Sequence, residues 1–284
     1  MTERMSLSLV ITRLDTVTAS TTVSSRDFGF EKQSTPMTVE QLTPRLDSLV
    51  QGTRALLEHA VHEYKDVVYS NSLGLEAMVL TDIIFSHVPD IEMFTLDTGR
   101  LHDETLSLLD RLERRYQRRI QLFYPEAAAI EQYVRENGVN GFYLGIEERQ
   151  SCCHIRKVEP FKRAIAGHKA WITGVRREQS AERALGEAVA WDERYGLWKI
   201  SPLLEWTEQD VWAYIKTRNL PYNALHDKGY PSIGCAPCTR AVEPGADARS
   251  GRWWWENPDS RECGLQPRRR VIPLKVEPRR AAGQ

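Results

Sequence analysis

The sequence predicts an α/β fold: a parallel, twisted sheet with helices on both faces, followed by a loop-rich C-terminal segment. Between residues 39 and 175, short runs rich in Val, Ile, Phe and Tyr alternate with longer stretches at helical spacing. That alternation is the signature of a parallel sheet whose crossovers are helices. The 284 residues, 41% hydrophobic, can bury a sizeable core and fit one domain with appendages.

Each element has its own signal. Leu42, Leu46, Leu49, Val50, Leu56 and Leu57 put apolar side chains on one face of a helix over 39–64. Residues 66–70 (DVVYS) read as a buried strand and 74–87 as a helix. The pattern repeats with strand 91–96, helix 105–118, strand 120–124 and helix 126–136. A helical segment carrying Cys152 and Cys153 precedes a fourth parallel strand at 170–175. Residues 188–192 and 197–200 suit a short β element. Thr207 is placed to cap a helix over 207–218, and 220–251 is rich in Pro, Gly and Asn. Ligands in such sheets bind at the carboxyl ends of strands, so the chemistry is expected after Tyr69, Leu96 and Gly174.

The ends of the chain differ from its middle. Residues 1–36 are rich in Ser and Thr and read as a disordered extension. Residues 37–265 read as the single domain, with a C-terminal catalytic segment at about 245–265. The tail, 266–284, is strongly basic. No apolar run is long enough to span a bilayer, and the first residues do not suit a secretory signal, which points to the cytoplasm. A net charge of −1 gives the whole molecule no field that seeks nucleic acid.

Five cysteines stand at 152, 153, 235, 238 and 263. In a cytosolic chain this pattern points to metal binding or redox catalysis rather than structural disulfides. Cys235-Ala236-Pro237-Cys238 is a turn shaped by Gly234 and Pro237 that suits zinc, thiol exchange or an iron–sulfur cluster. The vicinal Cys152 and Cys153 favour the cluster. Adjacent side chains aim poorly at one tetrahedral ion but can reach different irons of a [4Fe–4S] cubane. Lys157, one helical turn past Cys153, can face the same way. Cys263, in the polar run RECGL beside several arginines, suits a nucleophilic thiolate, although an ordinary free cysteine has the same setting.

Three further motifs end strands. Ser70 to Glu76 (SNSLGLE) suits an anion cradle at a helix N-terminus, or a plain turn. Leu96 to Arg100 (LDTGR) offers acceptors, a donor and a charge for a nucleoside. Arg176 and Arg177 suit an oxyanion clamp. Arg249, Arg252 and the three tryptophans at 253–255 suit an anion or base site, or packing anchors.

Together, CCHIRKVEPF (152–161), AWITGVRREQS (170–180), YPSIGCAPCTRAV (230–242), RSGRWWWE (249–256) and ECGL (262–265) resemble the assimilatory adenylylsulfate/phosphoadenylylsulfate reductase family. The resemblance runs from about Leu42 to Leu265. It implies a fold akin to the ATP-pyrophosphatase, adenine-nucleotide α-hydrolase-like group, and thioredoxin-dependent reduction of adenylyl sulfate in cysteine biosynthesis. It implies Cys263 as nucleophile and Cys152, Cys153, Cys235 and Cys238 as ligands of a [4Fe–4S] cluster. Ser70 and Ser72 would lie in the phosphate loop, and Leu96, Thr98 and Gly99 beside the adenosine. Lys157, Arg176, Arg177, Arg249 and Arg252 would face the phosphosulfate. The implied partner is a thioredoxin or glutaredoxin, with no nucleic acid and no membrane; a homo-oligomer stays open. Two departures stand out: SNSLGLE where relatives have SFSGAED, and Gln266 where the family pattern has His, which removes a side chain able to titrate near neutrality. Three other readings stay open: the same chemistry on 3′-phosphoadenylyl sulfate, an RNA-thiolating relative, and a zinc-stabilised nucleotide-binding module.

Overall fold

A computed structural model describes residues 39–257 and Leu265. Cys263, the N-terminal extension and the basic tail lie outside the described residues. Six strands form one sheet in the order β3-β2-β1-β4-β6-β5. The first four, β1 (Val67–Asn71), β2 (Glu92–Leu96), β3 (Gln121–Phe123) and β4 (Ala170–Ile172), are parallel. The expected β element joins the same sheet. Strand β6 (Leu197–Ile200) runs parallel to β4, and β5 (Val189–Asp192) pairs antiparallel with β6 at the edge. The sheet is therefore mixed, because the short turn between β5 and β6 permits only antiparallel pairing.

The strands are apolar on both faces because both faces are covered. Val67 and Tyr69 of β1 enter one core, and Val68 between them enters the other, as the two-residue period of a strand requires. The first core is closed by α1 (Val39–Tyr64), α2 (Leu75–His87), α3 (Asp103–Tyr116) and α8 (Glu208–Thr217). Leu46, Leu57 and Ala60 of α1 are buried there, with Leu49, Val50 and Leu56 packed beside them. The second core packs Phe161, Ala164 and Ile165 against Val68, Phe94, Trp171 and Leu197. Those first three residues belong to or follow α6 (Glu159–Ala164).

A third, smaller cluster lies to one side, between α4 (Ala127–Asn137), α5 (Ile146–Cys153) and the C-terminal loops. It gathers Tyr133, Phe142, Cys152, Cys235, Cys238 and Trp253. A short helix, α7 (Ala181–Ala184), follows β4. Among the described residues, no helix is long and apolar enough to cross a membrane.

The strand order places β1 between β2 and β4: the chain runs from β1 outward through β2 and β3, then crosses back to add β4 on the other side of β1. The carboxyl ends of β1, β2 and β4 thus flank a topological switch point, where open α/β sheets bind ligands.

Candidate active site

At the end of β1 the chain turns sharply into α2. Asn71 is buried and shapes the turn: its side-chain oxygen accepts from the Leu73 N–H at 2.9 Å, while its amide donates to Thr81 Oγ1 at 2.8 Å. Leu73 takes a left-handed conformation, φ 56°, uncommon for a residue with a branched side chain. Gly74 then caps α2 without a side-chain bond. Ser70 is half-buried and Ser72 exposed. These hydroxyls and the first N–H groups of α2 bound one side of the switch point, an anion-accepting arrangement.

The end of β2 is wound as tightly. Asp97 accepts from the Gly99 N–H at 2.8 Å, and Thr98 Oγ1 accepts from the Arg100 N–H at 3.2 Å. Gly99 has φ 67°, and a Cβ there would stand 3.4 Å from Arg156 Nη1. Arg156 in turn donates to the Thr98 carbonyl at 2.6 Å. Leu96, Thr98 and Gly99 thus meet the segment that follows the vicinal cysteines.

Four cysteines, Cys152, Cys153, Cys235 and Cys238, are buried free thiols. They line one cavity together with Arg100, Arg149, Arg156, Lys157, Phe142 and Pro237. Two local devices bring them there. After Cys153 the helix widens into a π turn, His154–Val158, where the Glu159 N–H reaches back to the His154 carbonyl. Pro160 follows at the start of α6 and has no N–H to continue an α-helical ladder. On the other side, Cys235 to Cys238 forms one tight turn, with the Cys238 N–H bonded to the Cys235 carbonyl and the Ala236 N–H to the Arg100 carbonyl. Thr98 Oγ1 lies 3.3 Å from Cys235 Sγ. Among the described residues, no three His, Cys, Asp or Glu side chains are arranged around a point that would hold a single metal ion.

The charge around the thiols is positive. Burial pushes the Cys235 thiol up, but Lys157, the bond from Thr98 and the guanidinium groups of Arg252 and Arg156 together hold it below the ordinary value. For Cys152, burial outweighs Arg156 and raises the thiol. Cys238 is pushed up to about 12 by burial and by Cys235. Arg156 Nε is buried with no hydrogen-bond partner among the described residues. Four thiols facing one cavity and ringed by cations have the donor chemistry to hold a multinuclear, anionic group.

The segment before Cys263 packs against this cavity. Trp253 is 1% exposed, and its backbone N–H bonds to the Cys238 carbonyl. Arg252 lies over the Trp253 ring and donates to Ser232 Oγ and the Ile233 carbonyl, each at 3.3 Å. A Cβ on Gly234 would sit 2.3 Å from the Arg252 guanidinium, so any side chain there would push that guanidinium from its place. Arg249 stands in the loop ahead of it, its N–H bonded to Asp247.

The two arginines after β4 are held elsewhere. Arg176 is buried against Glu76 at 2.7 Å and bonded to Glu178, with Glu208 at 3.9 Å. Arg177 pairs with Glu205 and donates to the Ala184 and Gly186 carbonyls. In this structure both brace the loop to α2, α7 and α8. The structure therefore brings Thr98, Gly99, Lys157, Arg252 and the four buried cysteines into one neighbourhood. Ser70, Ser72 and Arg176 lie across the switch point from it. Sequence reading missed Arg149, Arg156 and Glu256; the first two stand three or four positions from the vicinal cysteines, the spacing that shares a helix face.

The chain's similarities agree with this geometry. Residues 66–241 match the phosphoadenosine phosphosulfate reductase domain. The chain belongs to the phosphoadenosine phosphosulfate reductase family. Relatives include the adenosine 5′-phosphosulfate reductase of Burkholderia cepacia, 51% identical over 80% of this chain and 91% of that protein. The protein of the same name from Allochromatium vinosum is 53% identical over 75% of this chain and 83% of its own. Among solved structures, the phosphoadenylyl-sulfate reductase of Candida auris, in a phosphate complex, covers 74% of this chain and 100% of its own, with 26% identity and a TM-score of 0.59. A Candida glabrata FMN adenylyltransferase shares the fold alone, at 14% identity, a TM-score of 0.51, and 72% of this chain and 68% of its own covered.

Proposed function

We propose that this enzyme reduces adenylyl sulfate to sulfite and AMP, in sulfate assimilation. The observation that carries the reading is the cation-ringed thiol cavity at the end of β2, beside the switch point. About 50% identity to proteins named adenosine 5′-phosphosulfate reductase over most of the chain supports the substrate. Cysteine thiolates then have two roles. Cys152, Cys153, Cys235 and Cys238 would hold a [4Fe–4S] cluster, which would supply charge beside the substrate. Cys263 is the nucleophile.

The reaction follows from charge and bond order. The nucleoside lies at the ends of β1 and β2, where Leu96, Thr98 and Gly99 meet it, and Ser70 and Ser72 lie in the phosphate loop. Nucleophile and substrate are both anionic, so their approach is repelled. Lys157, Arg249 and Arg252 offset that charge and the charge growing on the departing phosphate. The Cys263 thiolate attacks the sulfate sulfur; an S–S bond forms, the S–O bond to phosphate breaks, and AMP leaves. A thiolate of a thioredoxin or glutaredoxin next attacks the Cys263 sulfur and expels sulfite. Its second thiol resolves the mixed disulfide, so the partner supplies both electrons. The protein works as a cytoplasmic enzyme in this reading.

The deciding experiment uses anaerobically purified full-length protein. Iron, sulfide and the visible spectrum are measured first, then sulfite release with thioredoxin from adenylyl sulfate and from its 3′-phosphorylated form. About four irons per chain, with sulfite from the nucleotide lacking the 3′-phosphate, is the expected result. Faster turnover of the 3′-phosphorylated form would reassign the substrate. Zinc with no sulfite from either would leave a nucleotide-binding module.

A further inference from the structure

Arg149 and Glu256 stand 107 positions apart in the chain, yet they form two parallel bonds, Nε to Oε1 and Nη2 to Oε2, each 2.8 Å. Their side chains are 1% and 3% exposed. Arg149 belongs to α5, the helix that carries the vicinal cysteines, and its guanidinium also donates to the Cys153 sulfur. The same guanidinium lies over the Trp253 ring, 4.9 Å from its centre. Glu256 follows the three tryptophans, its N–H bonded to the Trp253 carbonyl. A buried, two-pronged pair of this kind fixes both distance and direction, which a single bond or a lysine does not.

We infer that Arg149 and Glu256 are positioning residues that clamp the start of the Cys263-bearing run to the cysteine helix. The inference rests on the assignment of Cys263 as nucleophile. Downstream of Glu256 the chain can carry Cys263 no farther than about 25 Å. Where that run begins therefore limits where the thiol can go, and the clamp sets the beginning against the same helix that presents Cys152 and Cys153. One guanidinium touches a cysteine ligand, an indole and the carboxylate that anchors the reactive segment.

The test is Glu256→Gln, which keeps the shape and removes the charge, with Arg149→Lys, which keeps the charge and removes the fork. Three quantities are read on the full-length holoenzyme: visible absorption, the rate of Cys263 alkylation by iodoacetamide followed on its peptide, and kcat and KM for sulfite release. With the clamp released, the rate of Cys263 alkylation departs from the parent's by about tenfold. In parallel kcat falls about 10- to 100-fold while KM stays within about threefold, as expected when a reacting group is misplaced without loss of binding. Alkylation and kcat both within about twofold of the parent would overturn the clamp, as would an equal loss of absorption and activity with unchanged alkylation. If either single variant fails to fold, Arg149→Met with Glu256→Met removes both charges together and leaves no buried ion uncompensated; the same change in alkylation is expected there. A parent protein that makes no sulfite would sink the proposed reaction, and the alkylation rates would still decide the clamp.

Discussion

Arg176 carries a charge next to the nucleotide end of the sheet, and its sequence context suits an oxyanion clamp. In the structure its side chain is 5% exposed and held by Glu76 and Glu178. The two roles predict different losses. Arg176→Met leaves the half-buried Glu76 carboxylate without its guanidinium but still bonded to Gln179 Nε2 at 2.9 Å, a loss of about 1–3 kcal/mol. It should show as a fall in Tm, restored in part by adding Glu76→Gln. A clamp on substrate alone would raise KM and leave Tm in place. Cys263→Ser is the second expectation at this scale: nucleotide affinity by calorimetry within about twofold, and no sulfite, because a serine hydroxyl, protonated at neutral pH, is a far weaker nucleophile than a thiolate. Turnover by that variant would remove Cys263 from the reaction. The grouping of Cys152, Cys153, Cys235 and Cys238 with Lys157 was legible in the sequence because their spacing carries it; Cys263 lies outside the described residues. Arg149 and Arg156 had that spacing too, but a surface arginine on a helix has it as often. Only burial beside the thiols distinguishes them.

Individual elements were legible to within a few residues where a local signal existed. Thr207 is the clearest case: it was expected as a cap, and its hydroxyl accepts from the Asp210 N–H while Asp210 reaches back to the Thr207 N–H. Thr207→Ala should cost about 1 kcal/mol, seen as a fall of a few degrees in Tm by circular dichroism. No change would mean that Arg45, paired with Asp210 at 2.9 Å, holds the end of α8 alone. The π turn after Cys153 left only one trace in the sequence, Pro160. The widening depends on which carbonyls find partners in the folded chain, and a proline near a helix start is equally compatible with an ordinary first turn. The β5–β6 pair was readable as β structure, but not as part of the main sheet, because pairing partners are chosen by packing rather than by local sequence.

At the scale of the molecule, acid should loosen the fold through two imidazoles at the rim of the site. His102 and His226 both titrate below 6.5, chiefly because burial disfavours their charged forms; nearby carboxylates oppose this only in part. The native state therefore binds fewer protons than the unfolded chain. Their contribution is complete above about pH 6.5 and is lost as pH falls below that toward the lowered native values. Tm should fall as pH drops below about 6.5, and His102→Asn with His226→Asn should flatten that slope. An unchanged slope would place the acid sensitivity in the carboxylates. By itself, the sequence determined the α/β class, the order of elements, and the residue types that carry thiol and anion chemistry, since these follow from apolar period and from side-chain identity. The tertiary structure alone decided that four thiols separated by some eighty positions share one cavity, that Arg176 turns toward carboxylates, and that Arg149 meets Glu256. Those are contacts between distant parts of the chain, and they form only when burial in a common core outweighs the entropy of bringing them together.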